Sequence, residues 1–173
     1  MMVLRSASPP LLRLAAMAML AAPPIAVAAA SAIHTPAPGS AERIAILKIL
    51  HDGDDRPEAR FRIRQFRVVR TGPRALAYVQ GEGEVGAFQA LLQQEGRTPW
   101  RKVWGEGDGG SNSCEAGARH YAWALDLVRR YEIDPNALFP GLVAQTRKLK
   151  RMARAEPDVD CVGDLEGGPG GSL

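Results

Sequence analysis

The spacing of apolar residues predicts that the folded part of the chain begins with a short helix and a bulged strand. Ser40 is a favourable helix N-cap, and the apolar residues after it recur at helical intervals, which predicts a helix over 41–51. Between residues 60 and 70 the apolar positions alternate but change parity once. An extra residue in a strand reverses its two faces, so we expect a strand with a bulge near Gln65.

A further strand and a hairpin are predicted in the middle of the chain. A Thr-Gly-Pro turn leads into an alternating segment over 74–80, which is typical of a strand. The segment 85–94 fits both a helix and a strand. Because a turn and an alternation of Trp, Arg, Lys, Val and Trp follow it, we favour a hairpin that joins 86–95 to 99–105.

The C-terminal half is predicted to be helical after a glycine-rich loop over 105–113, which we expect to be flexible. Apolar stripes predict helices over 116–131 and 141–154, and Asp134-Pro135 should end the first of them. A helix, a run of strands and further helices indicate the α+β class. We therefore expect an N-terminal helix, a curved antiparallel sheet of about four strands and two C-terminal helices.

The two ends of the chain differ in composition from the part between them. Residues 1–32 contain basic residues, a long apolar run and no acidic residue, whereas residues 156–173 are acidic and rich in glycine. The first range is predicted to be a signal peptide, and the last a disordered tail that Cys161 tethers. Residues 33–39 are expected to form an extended linker, and 40–155 a single α+β domain.

The signal peptide predicts export to the periplasm or the exterior. Arg5 and Arg13 provide its positive start, and small-residue triplets allow cleavage after Ala28, Ala30 or Ala32. A proline pair interrupts its apolar run, and no later segment is long and apolar enough to span a bilayer. Cleavage removes two of the 22 basic residues and none of the 19 acidic ones, so the net charge falls from +3 to +1. Such a small charge gives no support for a nucleic-acid partner.

Aromatic and apolar residues between positions 41 and 141 resemble those of a group of uncharacterised bacterial periplasmic proteins. The resemblance rests on the opening helix and on Ala77-Tyr78-Val79, Leu91-Leu92, Trp100-Arg101-Lys102-Val103, Trp123, Tyr131, Pro135 and Leu138-Phe139. It implies a cystatin-like or NTF2-like α+β domain, in which a helix packs on a curved sheet. The resemblance implies no activity and no functional residue.

Cys114 and Cys161 are the only cysteines of the chain. In an exported domain such a pair is expected to form a disulfide, which contributes roughly 4 kcal/mol to stability by the loop-closure estimate. The alternative is a nucleophilic Cys114 with His120 as its base. We favour the disulfide, because the sequence does not fix the distance between Cys114 and His120 and offers no third orienting group.

Other motifs fail the requirements of the sites they resemble. Residues 81–86 match G-x-G-x-x-G, but two glutamates would stand where phosphates bind, so a hairpin turn is the better interpretation. The acidic stretches 51–55 and 108–112 lack the ligand spacing of an EF-hand. We therefore predict neither a cofactor nor a metal.

Basic side chains are concentrated in one predicted strand and one predicted helix. They are Arg60, Arg62 and Arg64 in the strand, and Arg147, Lys148 and Arg151 in the helix. Solvated faces of these two elements account for both sets, and the helix can also neutralise the acidic tail that follows it. The other interpretation is a surface that binds anionic lipid, polysaccharide or nucleic acid.

Several aromatic side chains either fill the core or line a ligand pocket on the sheet; they are Tyr78, Trp100, Trp104, Tyr121 and Trp123. Since no catalytic constellation is found, our first hypothesis is a non-enzymatic binding or accessory module for a small apolar ligand or another periplasmic protein. The second hypothesis is an anion-binding surface. The third is a hydrolase, which requires His51 or His120 in a cleft beside a carboxylate.

Overall fold

The computed structural model describes residues 32–52, 61–84 and 86–169, which form four helices and five strands. Helices α1 to α4 span Ala41–Leu50, Cys114–Arg129, Pro135–Leu138 and Leu142–Ala155. Strands β1 to β5 span Arg62–Thr71, Arg74–Gly83, Gly86–Glu95, Arg101–Ser113 and Asp160–Gly167. The chain is therefore an α+β protein, as the hydrophobic pattern predicts, with one strand and one short helix more than expected.

The sheet is an antiparallel meander in which each strand pairs with the next, in the order β1-β2-β3-β4-β5. The predicted bulge in β1 is confirmed, since its register with β2 shifts between Ile63 and Gln65. The glycine-rich turn is also confirmed, because Gly83 pairs with Gly86 at the end of the β2–β3 hairpin. The G-x-G-x-x-G segment thus leads from strand to strand and not into a helix that would hold a phosphate.

The fifth strand corrects two expectations. Residues 105–113 are not a flexible loop, because they continue β4 to its end. The tail over 156–173 is not disordered throughout, since part of it forms β5, an edge strand that pairs with β4. The tail contains few apolar residues, but Val162 and Leu165 are both buried in the core that the helices cover. Two buried side chains and the pairing with β4 therefore order this segment, although its composition is typical of disorder.

Local capping explains where the helices begin. The Ser40 hydroxyl accepts a hydrogen bond from the backbone N–H of Arg43 at 3.2 Å, and Ser113 caps α2 in the same way. The sequence prediction omits α3, because it takes Asp134-Pro135 only as the end of the preceding helix. Proline at a first helical position with an aspartate cap before it favours a new helix start, and the structure has α3 there.

Each face of the sheet carries a hydrophobic core. Helices α2 and α4 pack together over one face, where Trp104 and Tyr121 are buried. Helix α1 covers part of the opposite face, where Ile46 is buried against side chains of the first three strands. Alternation along β1 supplies both cores, since Val68 lies on the α1 side and Val69 on the α2 side. The α1 face is covered by one short helix and leaves sheet accessible beside it.

The segment ahead of α1 lies along the outer edge of β1. His34 and Val68 exchange two backbone hydrogen bonds, at N–O distances of 2.9 and 2.8 Å. Glu42 in α1 accepts hydrogen bonds from the side chains of His34 and Arg70. Burial opposes ionisation of the Glu42 carboxyl, but these two partners outweigh it and lower the pKa of the group. The segment is therefore attached to the domain by both backbone and side-chain bonds.

The predicted disulfide between Cys114 and Cys161 is confirmed, and it joins the start of α2 to β5. No helix among the described residues is long and apolar enough to cross a membrane. The predicted signal peptide, apart from its last residue, lies outside the described residues. A disulfide in the folded domain is compatible with the predicted export, because such bonds persist in oxidising compartments.

Candidate functional site

The five aromatic candidates fill the two cores and do not line a common cavity. Tyr78, Trp104 and Tyr121 are at most 2 % exposed in the core under α2 and α4, and Trp123 packs against that core. Trp100 is buried on the other face of the sheet, in the α1 core. The sheet separates Trp100 from the other four, so the predicted aromatic pocket does not form.

The basic candidates belong to elements without substantial packing contact. Arg62 and Arg64 are exposed on the edge strand β1, where Arg64 Nε donates a hydrogen bond to Glu82 at 3.0 Å. Arg60 lies outside the described residues. The helical candidates are exposed on α4, which packs mainly on α2, and they are Arg147, Lys148 and Arg151. The structure therefore does not join the strand and the helix into one basic surface.

A groove of about 610 Å³ opens on the α1 face of the sheet, between the end of α1 and strand β5. One wall is aromatic, since the ring of His51 stacks on Phe61 at 4.2 Å between centroids and Phe61 lies 4.6 Å from Phe88. The other wall comes from β5 and includes Asp164 and Glu166. We call this cavity the sheet groove. Its size falls in the range of roughly 300–1,000 Å³ that is typical of small-ligand sites.

Glycines of β4 form the floor of the sheet groove. Neither Gly105 nor Gly107 has a positive φ. A Cβ added at Gly107 would meet only the carbonyl oxygen of Ala87, at 3.9 Å, and one at Gly105 would make ordinary contacts from 3.4 Å. At Gly81, by contrast, a Cβ would lie 2.9 Å from the carbonyl oxygen of Arg62, so close strand approach explains that glycine. Gly105 and Gly107 have no such reason, and a bare strand of this kind is typical of a place where a ligand approaches the backbone.

The charges around the sheet groove are mostly negative. One ammonium group, that of Lys102, lines it together with the carboxylates of Glu84, Asp108, Asp164 and Glu166. Lys102 pairs with Glu166, and Asp108 accepts a hydrogen bond from the backbone N–H of Ala87 at 2.8 Å. The side chain of Asp164 has no ion pair or hydrogen bond with any residue that the structure describes. The groove thus combines an apolar wall with a carboxylate that is free to meet a cation.

A polar cluster lies on the opposite face of the sheet, at the edge of the hydrophobic core that α2 and α4 cover. Glu106 Oε2 accepts hydrogen bonds from the Tyr121 hydroxyl and from Gln89 Nε2, the second at 2.8 Å. The Tyr78 hydroxyl donates to Gln89 Oε1 at 3.2 Å. Burial raises the pKa of both tyrosines, and the Glu106 carboxylate raises that of Tyr121 further. Both hydroxyls therefore stay protonated and act as donors to this polar cluster.

Neither histidine of the hydrolase hypothesis forms a hydrogen bond or ion pair with a carboxylate in the part of the chain that the structure describes. His120 is fully buried against Trp104, and its Nε2 lies 2.8 Å from the carbonyl oxygen of Gly105. Burial lowers the pKa of His120, although the Gly105 carbonyl and Glu106 oppose the shift. His51 lines the sheet groove, but its Nδ1 has no hydrogen-bond partner among the described residues. Within the same residues, no three His, Cys, Asp or Glu side chains are grouped so that they could hold a metal ion.

Sequence reasoning missed the walls and the floor of the sheet groove. It selected tryptophan and tyrosine residues, whereas Phe61 and Phe88 line the cavity. The sequence of β4 does indicate the floor, because Gly105 and Gly107 are two residues apart and so lie on the same face of a strand. Once that segment is recognised as a strand, two glycines on one face predict a bare strip of sheet.

No protein-family model matches the chain, and neither does any curated protein or solved structure. The resemblance to bacterial periplasmic proteins with a cystatin-like or NTF2-like domain stays a prediction. The function has to be inferred from the chemistry of the sheet groove and of the charged surfaces.

Proposed function

We propose that this protein is an exported, non-enzymatic binding module whose sheet groove holds a small ligand with an apolar part and a cationic part. The glycine floor is the observation that carries this proposal. Gly105 and Gly107 weaken β4 relative to residues with side chains, yet neither backbone conformation nor packing requires them. Ligand binding supplies a reason for glycine at both positions, because a side chain at either would stand in the groove.

The two walls of the sheet groove specify the chemistry of the ligand. An apolar or aromatic group that packs on Phe61 and Phe88 gains about 25 cal/mol for each Å² of apolar surface removed from water. A cationic group at the other wall meets the unpaired carboxylate of Asp164. An anionic ligand is disfavoured there, because like charges would face each other in a partly desolvated cavity.

Fluorescence titration with a cationic aromatic dye tests this proposal. Proflavine serves as the probe, and anthracene carboxylate is the anionic aromatic control. We expect proflavine to bind the wild-type protein, and Gly107→Val to weaken the binding by about tenfold or more, which corresponds to ~1.4 kcal/mol of lost contact. The matched control is Ser111→Val, which adds a similar side chain at an exposed position of the same strand, outside the groove.

Two results would contradict the proposal. One is equal affinity of wild-type protein and Gly107→Val for proflavine, which would show that the dye binds elsewhere. The other is binding of anthracene carboxylate as strong as that of proflavine, which would leave the acidic wall without a role. Circular dichroism of each variant shows whether the sheet is retained.

Attachment to an anionic surface through α4 is the second candidate function. Five exposed basic side chains of this helix form no ion pair with any described residue, and they are Arg147, Lys148, Lys150, Arg151 and Arg154. A helix face of this kind attracts anionic headgroups or polysaccharides through a field that salt screens.

Cosedimentation with vesicles that contain phosphatidylglycerol tests the second candidate. We expect binding at low salt that is lost at high salt and abolished by the charge reversals Lys150→Glu and Arg154→Glu. Dye binding in the sheet groove should respond far less to salt. Vesicle binding that is unchanged by the reversals would exclude α4 as the attachment surface.

A further inference from the structure

A second cavity lies on the α2 face of the sheet, between the polar cluster and helix α4. Its volume is about 700 Å³, and its lining includes Glu106, Tyr121, Phe139, Pro140, Lys148 and Arg151. We call it the α4 cleft. It opens on the face of the sheet that is opposite to the sheet groove. Gln89 and Glu106 belong to both linings, but Gly107 lines only the sheet groove and Lys148 only the α4 cleft, so variants of these two residues test the cavities separately.

A carboxylate without a cationic partner stands in the α4 cleft. Glu106 is half-buried, and both of its hydrogen bonds, from Tyr121 and Gln89, reach the same oxygen, Oε2. Oε1 accepts no hydrogen bond, and the carboxylate forms no ion pair, within the part of the chain that the structure describes. Oε1 is not one of the buried polar atoms that lack a partner, so it is accessible to a donor of a ligand that enters the cleft.

Two cations of α4 line the same cleft. Ala144, Lys148 and Arg151 lie four and three residues apart, which places them on one stripe of the helix. Neither Lys148 nor Arg151 forms an ion pair with a described residue, so they do not neutralise Glu106. The cleft therefore presents one negative and two positive groups that are left unpaired with each other.

We propose that the α4 cleft binds a small zwitterion of the amino-acid class, with its ammonium at Glu106 and its carboxylate at Lys148 and Arg151. An ammonium has three N–H donors and supplies the one that Oε1 lacks. Charge-assisted hydrogen bonds at both ends are stronger than neutral ones and fix the direction of the ligand. The carbon chain between the two charges packs against Phe139 and Pro140, which form the apolar part of the lining.

Isothermal titration calorimetry of the full chain with amino acids of increasing length tests the proposal. The probes are glycine, γ-aminobutyrate and ε-aminocaproate, which separate the two charges by increasing distances. Caproate and hexylamine are the matched controls, because each keeps the carbon chain and one of the two charges. We expect at least one zwitterion to bind about tenfold or more tightly than both single-charge analogues, a difference of ~1.4 kcal/mol.

Three variants connect the binding to the cleft. Glu106→Gln keeps the shape of the side chain and removes its charge, and the double variant Lys148→Ala, Arg151→Ala removes the cations. Each should weaken the binding by about tenfold or more. The matched control is Lys150→Ala, Arg154→Ala, which removes one lysine and one arginine from the same helix outside the cleft and should leave the affinity unchanged.

Any of three results overturns the proposal. They are the absence of binding by all three zwitterions, equal binding of caproate or hexylamine, and an equal loss of affinity in the control double variant. The last result would mean that the net charge of α4 and not the cleft determines binding. Gly107→Val places a side chain in the sheet groove, and position 107 does not line the α4 cleft, so this variant should retain zwitterion binding. Failure of the sheet-groove proposal is thereby distinguishable from failure of this one.

Discussion

Gly107 and Asp164 face each other across β4 and β5, one on the floor and one on the wall of the sheet groove. Neither residue contributes to a hydrophobic core, and Asp164 has no partner among the described residues. A Cβ at Gly107 would meet only the carbonyl oxygen of Ala87, and the Asp164 carboxylate lies over Gly109 and Gly110 without a hydrogen bond. The chemistry of Gly107 and Asp164 is therefore better explained by what enters the groove than by the stability of the sheet.

Asp164→Asn should weaken the binding of proflavine by up to about fivefold, because a charge pair at an exposed position contributes about 0.2–1 kcal/mol. The matched control is Asp126→Asn, which removes the same charge from an exposed position of α2 that does not line the groove. Fluorescence titration of both variants measures the effect. An equal change in the two variants would assign the loss to net charge and not to the groove.

His120 should keep a pKa below 6.5, its ordinary value, because burial disfavours the imidazolium form. The sign for stability follows from the two states of the chain. As the pH falls through 6.5, His120 of the unfolded chain takes up a proton that the folded protein excludes, so the free energy of unfolding decreases. Titration of the three histidines by NMR gives the pKa directly. A His120 pKa at or above the ordinary value would contradict the buried position described above.

The elements that the sequence predicts well are those whose apolar residues carry a clear period. In β1 the single change of parity was sufficient to locate the bulge, because a bulge reverses the faces of a strand. Helix α2 was found from its apolar stripe, although it begins two residues earlier than predicted, at Cys114 beside its Ser113 cap. Local pattern is informative here because each element buries one face.

The second half of β4 and all of β5 lack such a period. Their glycines and acids form strands because each segment pairs with a strand at the edge of the sheet. The pattern of neighbouring residues does not indicate this partner, which is about 50 residues away in the chain. The sheet groove depends on these two strands for its floor and one wall. The sheet groove therefore cannot be predicted from the sequence without knowing that β4 pairs with β5.

The disulfide holds β5, and with it the acidic wall, to the start of α2. Replacing both Cys114 and Cys161 by serine should lower the free energy of unfolding by about 4 kcal/mol, since the bond closes a loop with a sequence separation of 47. We expect faster amide hydrogen exchange in β5 than in the wild-type protein, whereas exchange in the β1–β2 hairpin remains slow. Denaturation in guanidinium and exchange measured by mass spectrometry test the two parts. Unchanged protection of β5 would show that pairing with β4 alone holds the strand.

At the scale of the molecule, the two proposed sites differ in charge. The wall of the sheet groove is acidic, while α4 carries unpaired bases, and no ion pair joins α4 to the described residues that follow it. The expectation that α4 neutralises the acidic tail is therefore wrong for these residues. A net charge of +1 after the predicted cleavage conceals this separation, and two sites of different charge preference are compatible with it.

The contacts of the folded domain limit where the predicted signal peptide can be cleaved. His34 is bonded to Val68 at the edge of β1, and Pro36 is buried, so cleavage beyond residue 33 would remove or disturb contacts of the domain. Each predicted cleavage point, after Ala28, Ala30 or Ala32, keeps these contacts. Expression of the full chain in an exporting bacterium should therefore yield a periplasmic protein that begins within residues 29–33 and has its disulfide formed.

Intact mass, measured with and without reduction and thiol alkylation, tests both parts of this prediction. An export-deficient variant, in which Arg5 and Arg13 are replaced by glutamate, is the control and should stay uncleaved with alkylatable cysteines. An uncleaved chain in the periplasm would show that the first 32 residues are not a cleaved signal peptide. A chain that is cleaved after residue 36 would mean that the bridge between His34 and Val68 is dispensable for the folded domain.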